Sequence, residues 1–242
     1  MYHGAHRFRV YHTRRHFLVS SGLIALSIVV LFAAGYFVNA PWNVIASAIG
    51  ISIWRVLIGY GISLFLGTLL ALLVGASPWG ERLLPFFDVL QNVPSFALIP
   101  IFILAFGYGS TMIILFAATS ILWPIMFYAA SAILGAREEL SDAATVFGAR
   151  GWKRLVYYFI PLSFPALVTG SIVGISIGWE AVIGAEIIVN ARGIGSFLNS
   201  AGAAGNEKLV AIGIVALLLI VFIVSRVVWV PLLKSAKRYS EV

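Results

Sequence analysis

Long apolar runs separated by short polar stretches dominate this chain. Six stand out: Phe17–Val38, Val44–Gly75, Leu84–Phe106, Ser110–Leu134, Phe159–Val189 and Leu209–Leu233. A bilayer crossing takes about 20 consecutive apolar residues, and each run reaches that length. The pattern predicts an all-α polytopic membrane protein of six transmembrane helices, a single domain over 17–242 behind a short arm, 1–16. The second and fifth runs are long enough to tilt or to extend past the bilayer. The first is too long for a cleaved leader, and no small-x-small site closes it, so it reads as an uncleaved span.

Composition sharpens this picture. Hydrophobic residues make up 61% of the 242 and charged residues only 10%, with mean hydropathy +1.02. Soluble domains carry about 45–50% apolar and about 25% charged residues, so a soluble globular protein, a disordered chain and a nucleic-acid-binding module are excluded despite the net charge of +7. The absence of cysteine removes disulfide and thiol chemistry. Placement of the cations gives an orientation, because Lys and Arg accumulate in cytoplasmic loops. The arm holds Arg7, Arg9, Arg14 and Arg15; the loop near Glu81 holds Arg82. The loop after the fourth run holds Arg137, Arg150, Lys153 and Arg154, and the tail holds Lys234, Lys237 and Arg238. Those twelve of sixteen fall on one side if both termini are cytoplasmic, against Arg192 and Lys208 outside. The predicted topology is N-in, C-in.

His3, His6, His12 and His16 all lie in the arm, with spacings that suit a solvated tail better than a metal site. The arm is expected to touch anionic lipid headgroups. Within the runs, Gly59, Ser63, Gly67, Ala71 and Gly75 recur every fourth residue, as do Gly170, Gly174 and Gly178. Small residues on one face let helices approach closely in lipid, so both stripes are predicted packing surfaces. Pro94 and Pro100 bracket Ser95, Phe96 and Ala97 in the third run, and Pro124 interrupts the fourth. Proline removes a helical hydrogen bond, and broken backbone in a membrane is tolerated beside protein or water. A translocation route near Asn92–Pro100, shared with Ser176, Glu180 and Glu186 of the fifth run, is therefore expected, a simple kink being the alternative. Intramembrane acids are costly and face a cavity or a partner. Asp88, Glu180 and Glu186 are the candidates, and Arg55 is a deep cation that either attracts an anion or balances a glutamate.

The loop over 137–158 carries acid before base, Glu138, Glu139 and Asp142 ahead of Arg150, Lys153 and Arg154, as suits a short helix. Gly148 permits a turn or a close backbone approach. Asp142-Ala143-Ala144, then Gly148, then Ile160-Pro161 resembles the Glu-Ala-Ala (EAA) loop of binding-protein-dependent ABC importer permeases. Asp142 replaces Glu, Tyr158 replaces an Ile and Ile160 replaces a Leu of that pattern. Ile53-Trp-Arg-Val-Leu-Ile-Gly-Tyr, Val93-Pro-Ser-Phe-Ala-Leu-Ile-Pro, Phe106-Gly-Tyr-Gly, Ala185-Glu186, Arg192-Gly-Ile-Gly and Trp229-Val-Pro-Leu-Leu-Lys resemble the sulfonate/nitrate/taurine branch, covering roughly 45–235.

The resemblance implies a non-enzymatic permease subunit in a prokaryotic plasma membrane. Its partners would be a second permease copy, two cytoplasmic ABC ATPases and an external substrate-binding protein, with no nucleic acid. ATP and Mg would sit on the ATPases and no cofactor on this chain, which lacks the Gly-Lys of a phosphate-binding loop. Coupling to the ATPase is expected of Glu138, Glu139, Asp142, Ala143, Ala144, Gly148, Ala149, Arg150 and Pro161. The branch points to small anions such as sulfonate, taurine, nitrate or bicarbonate, and also holds transporters of thiamine-precursor pyrimidines. An ion-coupled secondary transporter using Glu180 and Glu186 is the alternative, though no inverted repeat favours it. An intramembrane enzyme built on Asp88, Glu180 or Glu186 is the weakest reading.

Overall fold

A computed structural model describes residues 38–136, 142 and 144–240, together with positions 22, 28, 31, 33, 35 and 36 of the first apolar run. The arm and Arg137, Glu138, Glu139 and Ala143 lie outside the described residues. Every regular element among the described residues is helical. After the first run, whose described positions up to Val38 are helical, come α1 (Trp42–Gly75) and α2 (Gly80–Gln91). A 3₁₀ turn at Ser95–Leu98 leads into α3 (Ile99–Phe106). Then follow α4 (Ser110–Leu134), α5 (Trp152–Ile188), α6 (Ile194–Ala203) and α7 (Glu207–Val224, prolonged by Val230–Ser240). The four helices α1, α4, α5 and α7 are long and apolar enough to cross a membrane, and α2 with α3 form a pair bent by 76°.

The small-residue stripes explain the centre of the bundle, where α4 lies between α1 and α5. On one side, a side chain at Gly67 would press on Leu122 O and Ile125, and Ser63 donates to Ala118 O at 2.6 Å. Gly59 lies against Ile114 O and Ala118 N. On the other side, a Cβ at Gly170 would stand 2.9 Å from Pro124 O, and Gly174 and Gly178 lie on Ile121. Backbone meets backbone on both flanks, so dispersion contacts replace the hydrophobic force that lipid removes.

Helix ends follow local chemistry. Asn39, Gly148, Asn190 and Gly205 have positive φ, and each donates to the carbonyl three residues back while the next amide reaches five back, as Ala191 N does to Glu186 O at 3.1 Å. This is the left-handed helix stop that glycine and asparagine tolerate. Two π turns, Leu155–Phe159 in α5 and Ser225–Trp229 in α7, each immediately precede an X-Pro pair, Ile160-Pro161 and Val230-Pro231. A proline ring collides with the carbonyl four residues earlier, and a widened turn relieves that collision.

The third run differs in detail from the sequence expectation. Its break is at Asn92–Pro94, whereas Pro100 sits in the first turn of α3, where the missing N–H costs no bond. Helix α6 occupies what the sequence pattern suggested was loop.

Candidate functional site

Where α4 begins and α5 ends, a buried charge pair ties five segments together. Ser52 and Arg55 project one turn apart from α1. Arg55 Nη1 donates to Glu186 Oε1 at 2.6 Å, and the two residues are 4% and 0% exposed. The same Nη1 donates to the Arg192 carbonyl at 2.7 Å, and Nη2 donates to Ser110 Oγ at 2.9 Å. Ser52 Oγ donates to the Glu186 carboxylate at 2.7 Å and accepts Ile194 N–H at 3.0 Å. Glu186 Oε2 accepts Gly195 N–H at 2.9 Å. The carboxylate thus sits at the N-terminus of α6, where unpaired amides and the helix dipole favour negative charge.

Glycine is required here for space. The left-handed stop at Asn190 turns the chain back over Glu186, and Gly193 lies so close to the carboxylate that an added Cβ would overlap it. At Gly195 a Cβ would overlap Ile183 O. Arg192-Gly-Ile-Gly is therefore a strap laid directly on a buried ion pair. Chemically this is a positioning device: both charges are satisfied, and four hydrogen bonds to three partners, Glu186, Ser110 and the Arg192 carbonyl, fix the guanidinium.

At the opposite end of α5 lies the loop singled out by sequence. Asp142 is helical and exposed, Ala144 is half-buried, and Gly148 closes the short helix with φ +80°. Gly148 N–H bonds Thr145 O at 3.0 Å, and Ala149 N–H bonds Ala144 O at 2.9 Å. The space around Gly148 is open, so its role within this chain is the turn and not a close approach. That turn holds Val146 and Phe147 out, 85% and 89% exposed. Arg150 and Pro161 are exposed and Ala149 is half-buried. Beside the loop, Gly75, Ser77, Ile133, Gly151, Arg154 and Tyr158 contribute to a cavity of about 510 Å³.

The expected route residues divide. Asn92, Pro94, Phe96, Ala97, Pro100, Ser176 and Glu180 are exposed and Ser95 half-buried, whereas Glu186 is enclosed within the chain. Phe96 meets Gly184, one turn above Glu180, so the broken segment and this face of α5 are brought together. Asp88 is exposed on α2 and accepts from Gln91 Nε2 at 2.6 Å. Sequence reasoning did not single out Ser52, Ser110, Val146 or Phe147. The first two lie in apolar stretches where hydroxyls are common, and only their convergence on Arg55 and Glu186 marks them.

Comparison with known proteins places this arrangement among transport components. A family model described as "Binding-protein-dependent transport system inner membrane component" matches residues 63–230. The taurine transport system permease protein TauC of Escherichia coli is 27% identical over 173 residues, 71% of this chain and 63% of that protein. The nitrate import permease protein NrtB of Leptolyngbya laminosa is 30% identical over 189 residues, 74% of this chain and 68% of the relative. The riboflavin transport system permease protein RibX of Chloroflexus aurantiacus is 31% identical over 143 residues, covering 59% and 53%. The chain thus spans about two thirds or less of the length of these relatives.

Proposed function

Because the chain belongs to the family of binding-protein-dependent transport system inner membrane components, we propose that it is the permease subunit of an ATP-driven importer, passing a small solute from an external binding protein into the cytoplasm. It is a multi-pass protein of the plasma membrane. The family match over 63–230 carries the reading, since that stretch includes the last part of α1, all of α2 to α6 and the 137–158 loop. Six spans with both termini cytoplasmic fit the distribution of Lys and Arg. This orientation puts the Arg55–Glu186 strap on the outer side and the Asp142–Gly148 turn on the inner side.

The inner turn is the docking point for an ABC ATPase. Val146 and Phe147, with Asp142 beside them, offer an apolar knob on a rigid turn, and the cavity next to it leaves room for a partner. Glu138, Glu139, Ala143, Ala144, Gly148, Ala149, Arg150 and Pro161 complete the coupling segment. The assembly is a homodimer, the commonest closed symmetry, with two ATPases that bind ATP and Mg, while this chain binds no cofactor. The broken segment at Asn92–Pro100 and the Ser176–Glu180 face of α5 line the route at the dimer centre. Glu186, already paired with Arg55, supports that wall from behind. The same pairing weakens the alternative of an ion-coupled carrier working through Glu186. The relatives named for nitrate, taurine and riboflavin support a small polar solute.

Reconstitution of the permease with its ATPases and binding protein in proteoliposomes tests this reading. Uptake should require internal ATP and Mg. Uptake driven by a proton or sodium gradient without ATP would refute it.

A further inference from the structure

The glycine stripe of α5 faces α4, and the opposite side of the helix is open. Gly174 and Gly178 lie on Ile121. Ser176 and Glu180, two positions further along, are about 200° away around the helix and exposed. Glu180 makes no hydrogen bond or ion pair among the described residues, and it lies eight residues, about 12 Å, before the last residue of α5. A carboxylate at that depth cannot face hydrocarbon cheaply; it faces water or a polar partner. Phe96 covers Gly184 one turn above, so the broken, exposed backbone at Ser95–Ala97 borders the same surface.

The charges of the spanning helices differ in how far they are already enclosed. Arg55 is enclosed and neutralised by Glu186. Arg226 is half-buried in the π turn of α7. Exposed charges on α2 to α5 begin with Glu81 and Arg82 in the first turn of α2 and Lys153 in the first turn of α5; further along the helices they are Asp88 and Glu180, both acidic. Two-fold association about this face doubles each of them. Rings of carboxylates favour cations and repel anions at close quarters.

We propose that Glu180 sets the charge preference of the route, favouring solutes that present a protonated or N–H-bearing nitrogen and disfavouring simple inorganic anions. The inference rests on the permease reading and narrows its substrate class: a zwitterion, a cation or an amine-bearing heterocycle fits, and a bare oxyanion does not. It departs from the anion that the branch resemblance implies, and Arg55, the deep cation open to an anion on sequence grounds, is taken up by Glu186.

The native chain has no cysteine, so the field can be measured at one site. Ser176→Cys places a thiol one turn from Glu180. In the assembled complex, its reaction with a trimethylammonium methanethiosulfonate and with a sulfonate methanethiosulfonate is followed by mass spectrometry of the permease, each rate normalised to a free thiol. The cationic reagent should be favoured about tenfold, and adding Glu180→Gln should bring the ratio close to one. A ratio unchanged by Glu180→Gln overturns the proposal, as does inertness to both reagents in every nucleotide state. ATP-driven uptake by the unsubstituted complex reports separately on the permease reading: uptake with charge-blind labelling sinks only the preference, and loss of ATP dependence sinks the reading beneath it.

Discussion

Arg55 and Glu186, 131 residues apart in sequence, meet at 2.6 Å with almost no exposure. Each helix alone would carry an uncompensated charge into the membrane, and together they neutralise it. Removing one partner strands the other, at about 3–5 kcal/mol. Arg55→Met and Glu186→Gln should therefore each lower the thermal stability of the purified protein substantially. The double variant should lose much less than the sum, with a coupling of up to about 3 kcal/mol. Additive losses in a double-mutant cycle would show that the pair does not act as a unit.

The strap glycines differ from the surface glycines in a measurable way. Gly193→Ala drives a methyl into the Glu186 carboxylate and should cost about 1–3 kcal/mol. Gly61 in α1 has nothing within 4 Å of an added Cβ, so Gly61→Ala should be neutral or stabilising by about 0.5–1 kcal/mol. Denaturation curves of the two variants settle the contrast, and equal effects would contradict the steric account.

At the inner turn, Phe147→Asp should leave the melting temperature within the small range of surface substitutions, about 0.5 kcal/mol, while reducing ATPase recovery in a pull-down at least tenfold. Gly148→Trp should reduce recovery in the same way, because the indole would project from the proposed docking face, but at a further cost in stability of about 1–2 kcal/mol from φ +80°. Wild-type recovery in both variants would remove the docking assignment.

Thiol mapping distinguishes route from interior. Cysteines at Ala97 and Ser95, beside the break, should react with a water-soluble reagent in at least one nucleotide state. A cysteine at Ser63, fully buried against α4, should not react in any state. Inert thiols at both Ala97 and Ser95 would mean that the break only shapes the bundle.

Much of this was readable in the chain because hydrophobic length and small-residue spacing are local signals. The runs Val44–Gly75 and Ser110–Leu134 closely match α1 and α4, and four-residue spacing alone puts Gly170, Gly174 and Gly178 on one face. The pairing of Arg55 was legible only as a requirement. Charge balance demands an acid, but Glu180 and Glu186 satisfy that demand equally until the fold selects one. Their placement on the route by sequence treated them alike, whereas the six-residue spacing puts one inward and the other outward. Helix α6 was hidden because Gly193, Gly195, Gly202 and Gly205 read as loop, while its start is stabilised from outside itself, by Ser52 and Glu186. The proline signals needed backbone context: Pro94 marks a break, and Pro100 opens a helix.

The 37 residues of α5 run from beside the Asp142–Gly148 turn to the strap as one element about 55 Å long. Its outer end is clamped through Glu186, and its middle lies backbone-to-backbone on α4. The widened turn at Leu155–Phe159 relaxes its hydrogen-bond register, and Pro165 just beyond it lacks a donor. If an ATPase pushes on the Asp142–Gly148 turn, as proposed, the widened turn near Leu155 would take up part of that push as rotation, and only the remainder would reach the outer end as tilt about the glycine face.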